Sequence, residues 1–275
     1  MGELAEMIDL HSHILHGMDD GAETIEGSLQ MCRASQRDGI QTIVATPHIL
    51  PGIYDNNRST ILTKVQELNE AIKKFGVRSS GFGVKNLDSM TQLPNDSITE
   101  LEILPGADVH FSFDLLQRYE KKEIVTVNDQ GQFLMVEFEF QGIPYQSEEV
   151  LFQLLAKGII PIISHPERNF EIGQRPRRYY EMIRTGCLGQ VTAMSLTGEF
   201  SPEVKRVAEK LLAHRLIHFI ASDAHSINRR PPVLSTGVRA AEKIVGKEEA
   251  RKMVTEYPQA ILNGRKPDVP DPIPL

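Results

Sequence analysis

Short apolar runs alternate with amphipathic stretches along this chain. Residues 7–13, 42–48, 102–111, 133–138, 159–165, 188–195 and 217–225 are mostly rich in Ile, Val and Leu. Runs of this kind predict strands buried on both faces, as in a parallel sheet. Between them, apolar positions recur at helical spacing. Ile61, Leu62, Val65, Leu68 and Ile72 form one such stripe over 58–75, ended by Gly76. Thr24 is placed to cap a helix reaching Asp38, with Gly39 just past its end. Ser201-Pro202 opens another over 202–214, as N-cap and first helical position. Further helices are expected over 147–157, 176–185, 234–245 and 247–263, and the Pro-rich 266–275 as an extended surface tail. Strand then helix, repeated about seven times, predicts an α/β fold closed into a (β/α)7 TIM-like barrel, with 1–275 as one domain. The segment 79–99 breaks the pattern: it is aperiodic and rich in Gly, Ser, Asn and Asp, which reads as a long surface loop.

Composition narrows the partners more than the fold. The 275 residues carry a net charge of -7, which argues against nucleic acid or an acidic membrane surface as the main partner. No apolar stretch is long enough to span a bilayer, and MGELAEMIDLHSH lacks the features of a signal peptide, so a cytoplasmic location is expected. Cys32 and Cys187 are the two cysteines and read as buried thiols of a reducing compartment. Neither is followed by the Cys-x5-Arg spacing of a thiolate phosphatase, and there is no G-x-S-x-G elbow for a serine hydrolase.

The candidate chemistry sits where the strands end. Residues two apart on a strand share a face, so Asp9, His11 and His13 fall together, as do Asp223 and His225. His48, Asp108, Glu137 and His165 close other strands, Asp19-Asp20-Gly21 follows the first, and Arg168 lies three residues past His165. In such barrels the C-terminal end of the strands carries the chemistry. Left alone, Asp20, Asp108, Glu137 and Asp223 would repel one another. Two or three divalent cations would offset that charge, and mixed imidazole and carboxylate ligation suits Mn, Fe or Zn better than Ca or Mg. The bland reading is a hydrogen-bonded polar core. It serves for His-x-His alone, but poorly for the whole set. His110, His214 and His218 read as structural, Asp19 as holding its loop, and Arg175, Arg177 and Arg178 as a solvated helix start in preference to a docking site.

HSHILHGMDDG, ATPH, LPGADV, VEF, HPER and SDAH, in this order, resemble the PHP (polymerase and histidinol phosphatase) superfamily, in particular its bacterial protein-tyrosine phosphatases of capsule and exopolysaccharide gene clusters. The resemblance implies a distorted barrel holding up to three metals, usually manganese. By it, His11, His13, His48, Glu137, His165, Asp223 and His225 match metal ligands. Asp20 matches the acidic residue beside the reacting phosphate, and Arg168 and Arg230 the phosphate-contacting arginines. Asp108 stands where the family commonly has Glu, His16 replaces a Pro, Thr192 replaces an Asn, and 79–99 looks inserted. The shorter Asp108 puts its metal bridge in question. The activity so implied is metal-dependent hydrolysis of phosphotyrosine in proteins, with the Tyr-rich tail of a bacterial tyrosine kinase as the expected partner. Asp20 would protonate the leaving oxygen or orient the water. The competing expectations are a phosphoesterase for a small molecule such as histidinol phosphate, and a regulatory barrel without turnover, for which Asp108 is the support.

Overall fold

A ring of parallel strands organises the computed structural model, which describes residues 6–76, 98 and 101–275. β1 (Met7–Ser12) pairs with β2 (Ile40–Ala45), and β2 with β4 (Glu102–Pro105). A second sheet runs β3 (His48–Ile49), β5 (Asp108–His110), β6 (Phe133–Glu137), β7 (Ile160–Ser164), β8 (Leu188–Thr192) and β9 (Phe219–Ala221), every pair parallel. The ring closes where the Asp223 N–H donates to His11 O and the His13 N–H to Ala224 O, both at 2.8 Å. The expected α/β barrel is therefore the observed fold.

Two predicted strands are each split in two, at neighbouring points of the ring. β2 and β3 are halves of 42–48, parted at Thr46-Pro47, where proline brings no N–H to the ladder. β4 and β5 are halves of 102–111, parted at Gly106-Ala107. A Cβ on Gly106 would lie 2.6 Å from Val44 Cγ1, so glycine alone fits that approach. The breaks lie side by side: the Thr46 N–H donates to Ser12 O and the Asp108 N–H to Pro47 O. Beyond them β3 and β5 carry His48 and Asp108 onward to the mouth.

The long helices follow the sequence pattern. Thr24 Oγ1 accepts from the Gly27 N–H at the start of α1 (Ile25–Asp38), and Gly39 ends it at φ 94°. α2 (Arg58–Gly76), α4 (Ser147–Ala156), α6 (Arg177–Thr185), α8 (Pro202–Ala213) and α9 (Ser235–Val245) lie where periodicity places them. The predicted helix 247–263 is instead two, α10 (Lys247–Lys252) and α11 (Glu256–Leu262). Pro258 falls in the first turn of α11, where its missing N–H costs little; a continuous helix would have needed that N–H. The predicted strand 188–195 stops at Thr192 and turns into α7 (Ala193–Thr197). α3 (Leu115–Glu120), α5 (Phe170–Gln174) and α7 span two turns or fewer, too short for a period to register in sequence. The tail runs without helix or strand, fastened at its end. The Ile273 N–H donates to His214 O at 2.9 Å, and His214 Nδ1 lies 3.0 Å from Pro274 O. The predicted insertion, 79–99, lies outside the described residues apart from Ile98.

Candidate metal centre

The ends of β1, β3, β5, β6, β7 and β9 bring the sequence-predicted side chains to one mouth. His11 and His13 are fully buried, and their Nε2 atoms face each other at 3.1 Å. Each ring is fixed from behind. His11 Nδ1 lies 3.0 Å from Gln190 Oε1, His13 Nδ1 2.6 Å from Asp19 Oδ2, and His225 Nδ1 2.9 Å from the Asp223 carbonyl. Where Nδ1 donates its hydrogen to such an oxygen, a neutral ring keeps its lone pair on Nε2, which is how imidazoles are presented to metals.

The carboxylates complete the cluster. Asp108 Oδ1 accepts from Ser164 Oγ at 2.7 Å, while Asp108 Oδ2 is buried without a hydrogen-bond donor among the described residues. That oxygen lies 3.6 Å from His11 Nε2 and 3.7 Å from both His48 Nδ1 and His165 Nε2. Glu137 lies 3.3 Å from His165 Nε2 and 3.4 Å from His48 Nδ1. Asp20 Oδ1 is 3.4 Å from His225 Nε2 and 3.7 Å from His48 Nε2. Three overlapping groups have ligating atoms within 4.8 Å of one another: His13, Asp20, His48 and His225; His11, His13 and Asp108; His48, Asp108 and Glu137. A buried carboxylate oxygen without a donor among the described residues, amid imidazole nitrogens, suits a divalent cation. His165 and Asp223 stand beside these groups, both with left-handed backbone, φ 34° and 52°. Such conformations are costly for residues other than glycine and here turn the chain sharply at the mouth.

Charge in the cluster is closely balanced. Burial opposes ionisation of Asp223, but Arg168, His11 and Arg230 outweigh it and hold the carboxyl well below its usual range. Burial likewise opposes Glu137, and His110, His165 and His48 outweigh it. Burial lowers His13, yet Asp19 and Asp223 raise it to about 10. Burial and Arg168 lower His165, yet Asp108 and Glu137 raise it to about 9. Burial takes His11 down to about 4, so it is neutral. A cation bound by His13 or His165 must displace a proton these carboxylates favour.

Arg168 and Arg230 converge on Asp223 Oδ2, Arg168 at 2.5 Å. Their guanidinium carbons lie 5.2 and 5.8 Å from the centre of the Phe200 ring, and the Nε of each is buried without a partner among the described residues. A cleft of about 500 Å³ opens over the cluster, with Asp20, His48, Glu137, His165, Arg168, Asp223 and Arg230 in its lining. His11, His13 and Asp108 are fully buried and take no part in that lining.

Several readings from sequence change here. Asp9, expected on the His11 face, is bonded to the Ser222 N–H and hydroxyl and braces the strand behind the site. Its carboxyl, raised by burial to about 7, is no part of the three groups. His110, read as structural, lines the cleft with Nδ1 3.7 Å from Glu137. Period two from Asp108 already implied that face. Gln190, a polar side chain within the apolar run 188–195, also belongs to the site, holding His11 from behind. Arg178 is no solvated cation: Glu148 and Glu171 hold its guanidinium at 2.6–2.9 Å.

Sequence and structural relatives share this architecture. A family model described as capsular polysaccharide synthesis, CpsB/CapC, matches residues 7–83 and 79–263. The tyrosine-protein phosphatase YwqE of Bacillus subtilis (strain 168) is 33% identical over 259 residues, covering 94% of this chain and 92% of that protein. The tyrosine-protein phosphatase CpsB of Streptococcus agalactiae serotype III (strain NEM316) is 30% identical over 262 residues, covering 93% and 98%. A crystal structure from work on YwqE of Bacillus subtilis and CpsB of Streptococcus pneumoniae, described as metal-dependent tyrosine phosphatases, superposes with a TM-score of 0.86 at 32% identity, covering 98% of this chain and 99% of that one. The chain belongs to the CpsB/CapC family of capsular polysaccharide synthesis.

Proposed function

We propose that this chain is a metal-dependent phosphatase that hydrolyses phosphotyrosine in proteins and so regulates capsule or exopolysaccharide synthesis. In this reading it works in the cytoplasm with two to three divalent cations, manganese foremost. Its substrate is a phosphotyrosine protein such as the Tyr-rich tail of a bacterial tyrosine kinase. The observation that carries the reading is the meeting of imidazole and carboxylate atoms under two guanidiniums in one cleft.

A phosphate monoester hydrolyses very slowly unaided, so charge neutralisation and positioning dominate its catalysis. The ligands would be His11, His13, His48, Asp108, Glu137, His165, Asp223 and His225, with Asp20 at the edge. Divalent cations bound there supply Lewis acidity toward phosphoryl oxygens and lower the pKa of water. Arg168 and Arg230 offer forked N–H donors, their unpartnered Nε included, to the phosphate oxygens. His225, its Nε2 3.4 Å from Asp20 Oδ1, holds the Asp20 carboxyl below its usual range. Asp20 is then ionised at neutral pH, suited to accept a proton from water and orient it rather than to protonate the leaving oxygen. A phenolate is a good leaving group and needs little such help.

Chelation followed by reloading with Mn2+ is expected to abolish and then restore hydrolysis of a phosphotyrosine peptide. His165→Ala should end turnover while circular dichroism stays unchanged. Full turnover after complete metal removal, or preference for histidinol phosphate or an oligonucleotide over the peptide, overturns the proposal.

A further inference from the structure

The cleft has aromatic walls over its charged floor. Phe140, in the loop after β6, is a large apolar side chain left 55% exposed. Its ring lies over His165, centroids 6.2 Å apart at 29°, and 5.7 Å from the Arg168 guanidinium carbon. The loop is pinned: Phe140 O accepts from the Phe170 N–H and Glu139 O from Asn169 Nδ2, both at 2.7 Å. Tyr54, also in the lining, stacks on His48 at 5.6 Å and 15°. Each ring therefore rests on an imidazole of the cluster and keeps apolar surface toward the cleft.

We propose that Phe140 is the platform for the aromatic ring of the substrate, so that the loop after β6 selects aryl over alkyl phosphates. The proposal rests on the phosphatase reading above and extends it to the organic half of the substrate. A phosphorylated aryl oxygen seated beside Arg168 and His165 brings its ring against the exposed face of Phe140, at the separations where aromatic pairs attract. A short alkyl phosphate has no ring to cover that face and gains nothing from it. The aromatic wall thus contributes affinity for the leaving group, while the charged floor grips the phosphoryl group.

Calorimetric titration of the manganese-loaded protein with phenylphosphonate, methylphosphonate and inorganic phosphate tests this. The wild-type protein is expected to prefer phenylphosphonate to methylphosphonate. Phe140→Ala should weaken phenylphosphonate about five- to tenfold and leave the other two anions within about twofold. Phe140→Leu, which keeps apolar volume without a ring, should fall between. Equal weakening of all three anions would show that Phe140 acts by holding Arg168 and would overturn the proposal, as would no change in any. Failure of all three to bind the wild-type protein would instead remove the phosphatase reading, and the platform with it.

Discussion

Asp108 and Asp223 are buried carboxylates at the same mouth, yet their charges are met in different ways. Asp223 Oδ2 takes both guanidiniums, and Thr192 Oγ1 lies 3.4 Å away, while its Oδ1 sits 3.4 Å from His11 and His13 Nε2. Asp108 has one hydroxyl on Oδ1, and around Oδ2 three imidazoles at 3.6–3.7 Å, too far for hydrogen bonds. The first charge is offset by arginines that never lose their protons. The second is faced by imidazoles, of which His165 holds a proton that a cation can displace. One end of the mouth is thus built to hold an anion-gripping pair in place, and the other is built around an exchangeable ion.

Replacing each carboxylate by its isosteric amide tests that division. Asp108→Asn should lower cation content, measured by elemental analysis, and cut kcat/KM by about 10³-fold or more. Asp223→Asn should retain more cation, while the freed arginines raise KM and lower kcat together. Equal cation loss in the two variants would erase the distinction. Next in size, Arg168→Lys and Arg230→Lys should each cost about 10²-fold in kcat/KM, because a point charge replaces a fork. Both should keep wild-type cation content. Loss of metal in either would place the arginines in the cation-holding part of the mouth.

What could be read from the sequence followed the reach of local rules. Period two placed His11 and His13 on one side of β1, and recurring apolar runs gave the barrel. Thr24, Gly39 and Ser201 marked helix ends because capping is decided within four residues. Gln190 acts on His11 across the closed ring, and Asp19 on His13 across a loop, contacts that strand periodicity does not encode. The pairing of both arginines with Asp223 depends on the left-handed turn at that residue, which Ser-Asp-Ala-His does not advertise. His110 is legible by the same alternation as His11: two residues past Asp108 on β5, it shares that face.

His218 extends the comparison to an imidazole away from the mouth, with no carboxylate among the described residues to hold its proton. It is buried, its Nδ1 accepts from the Gly189 N–H at 3.0 Å, and burial, aided by Lys266, lowers it from 6.5 to about 3. Between those values the unfolded chain holds the proton and the folded chain does not. The stabilisation is therefore complete above pH 6.5 and declines as pH falls toward 3. His218→Gln, whose amide oxygen can still accept from Gly189, removes that titration. Urea unfolding of both proteins at equal metal concentration should show the wild-type advantage shrinking by about 2 kcal/mol from pH 7 to pH 5. A constant difference would mean that His218 keeps its proton when folded, and that burial without a carboxylate does not suffice to neutralise an imidazole here. The opposite shifts of His13 and His218, at like burial, would then lose their explanation in Asp19 and Asp223.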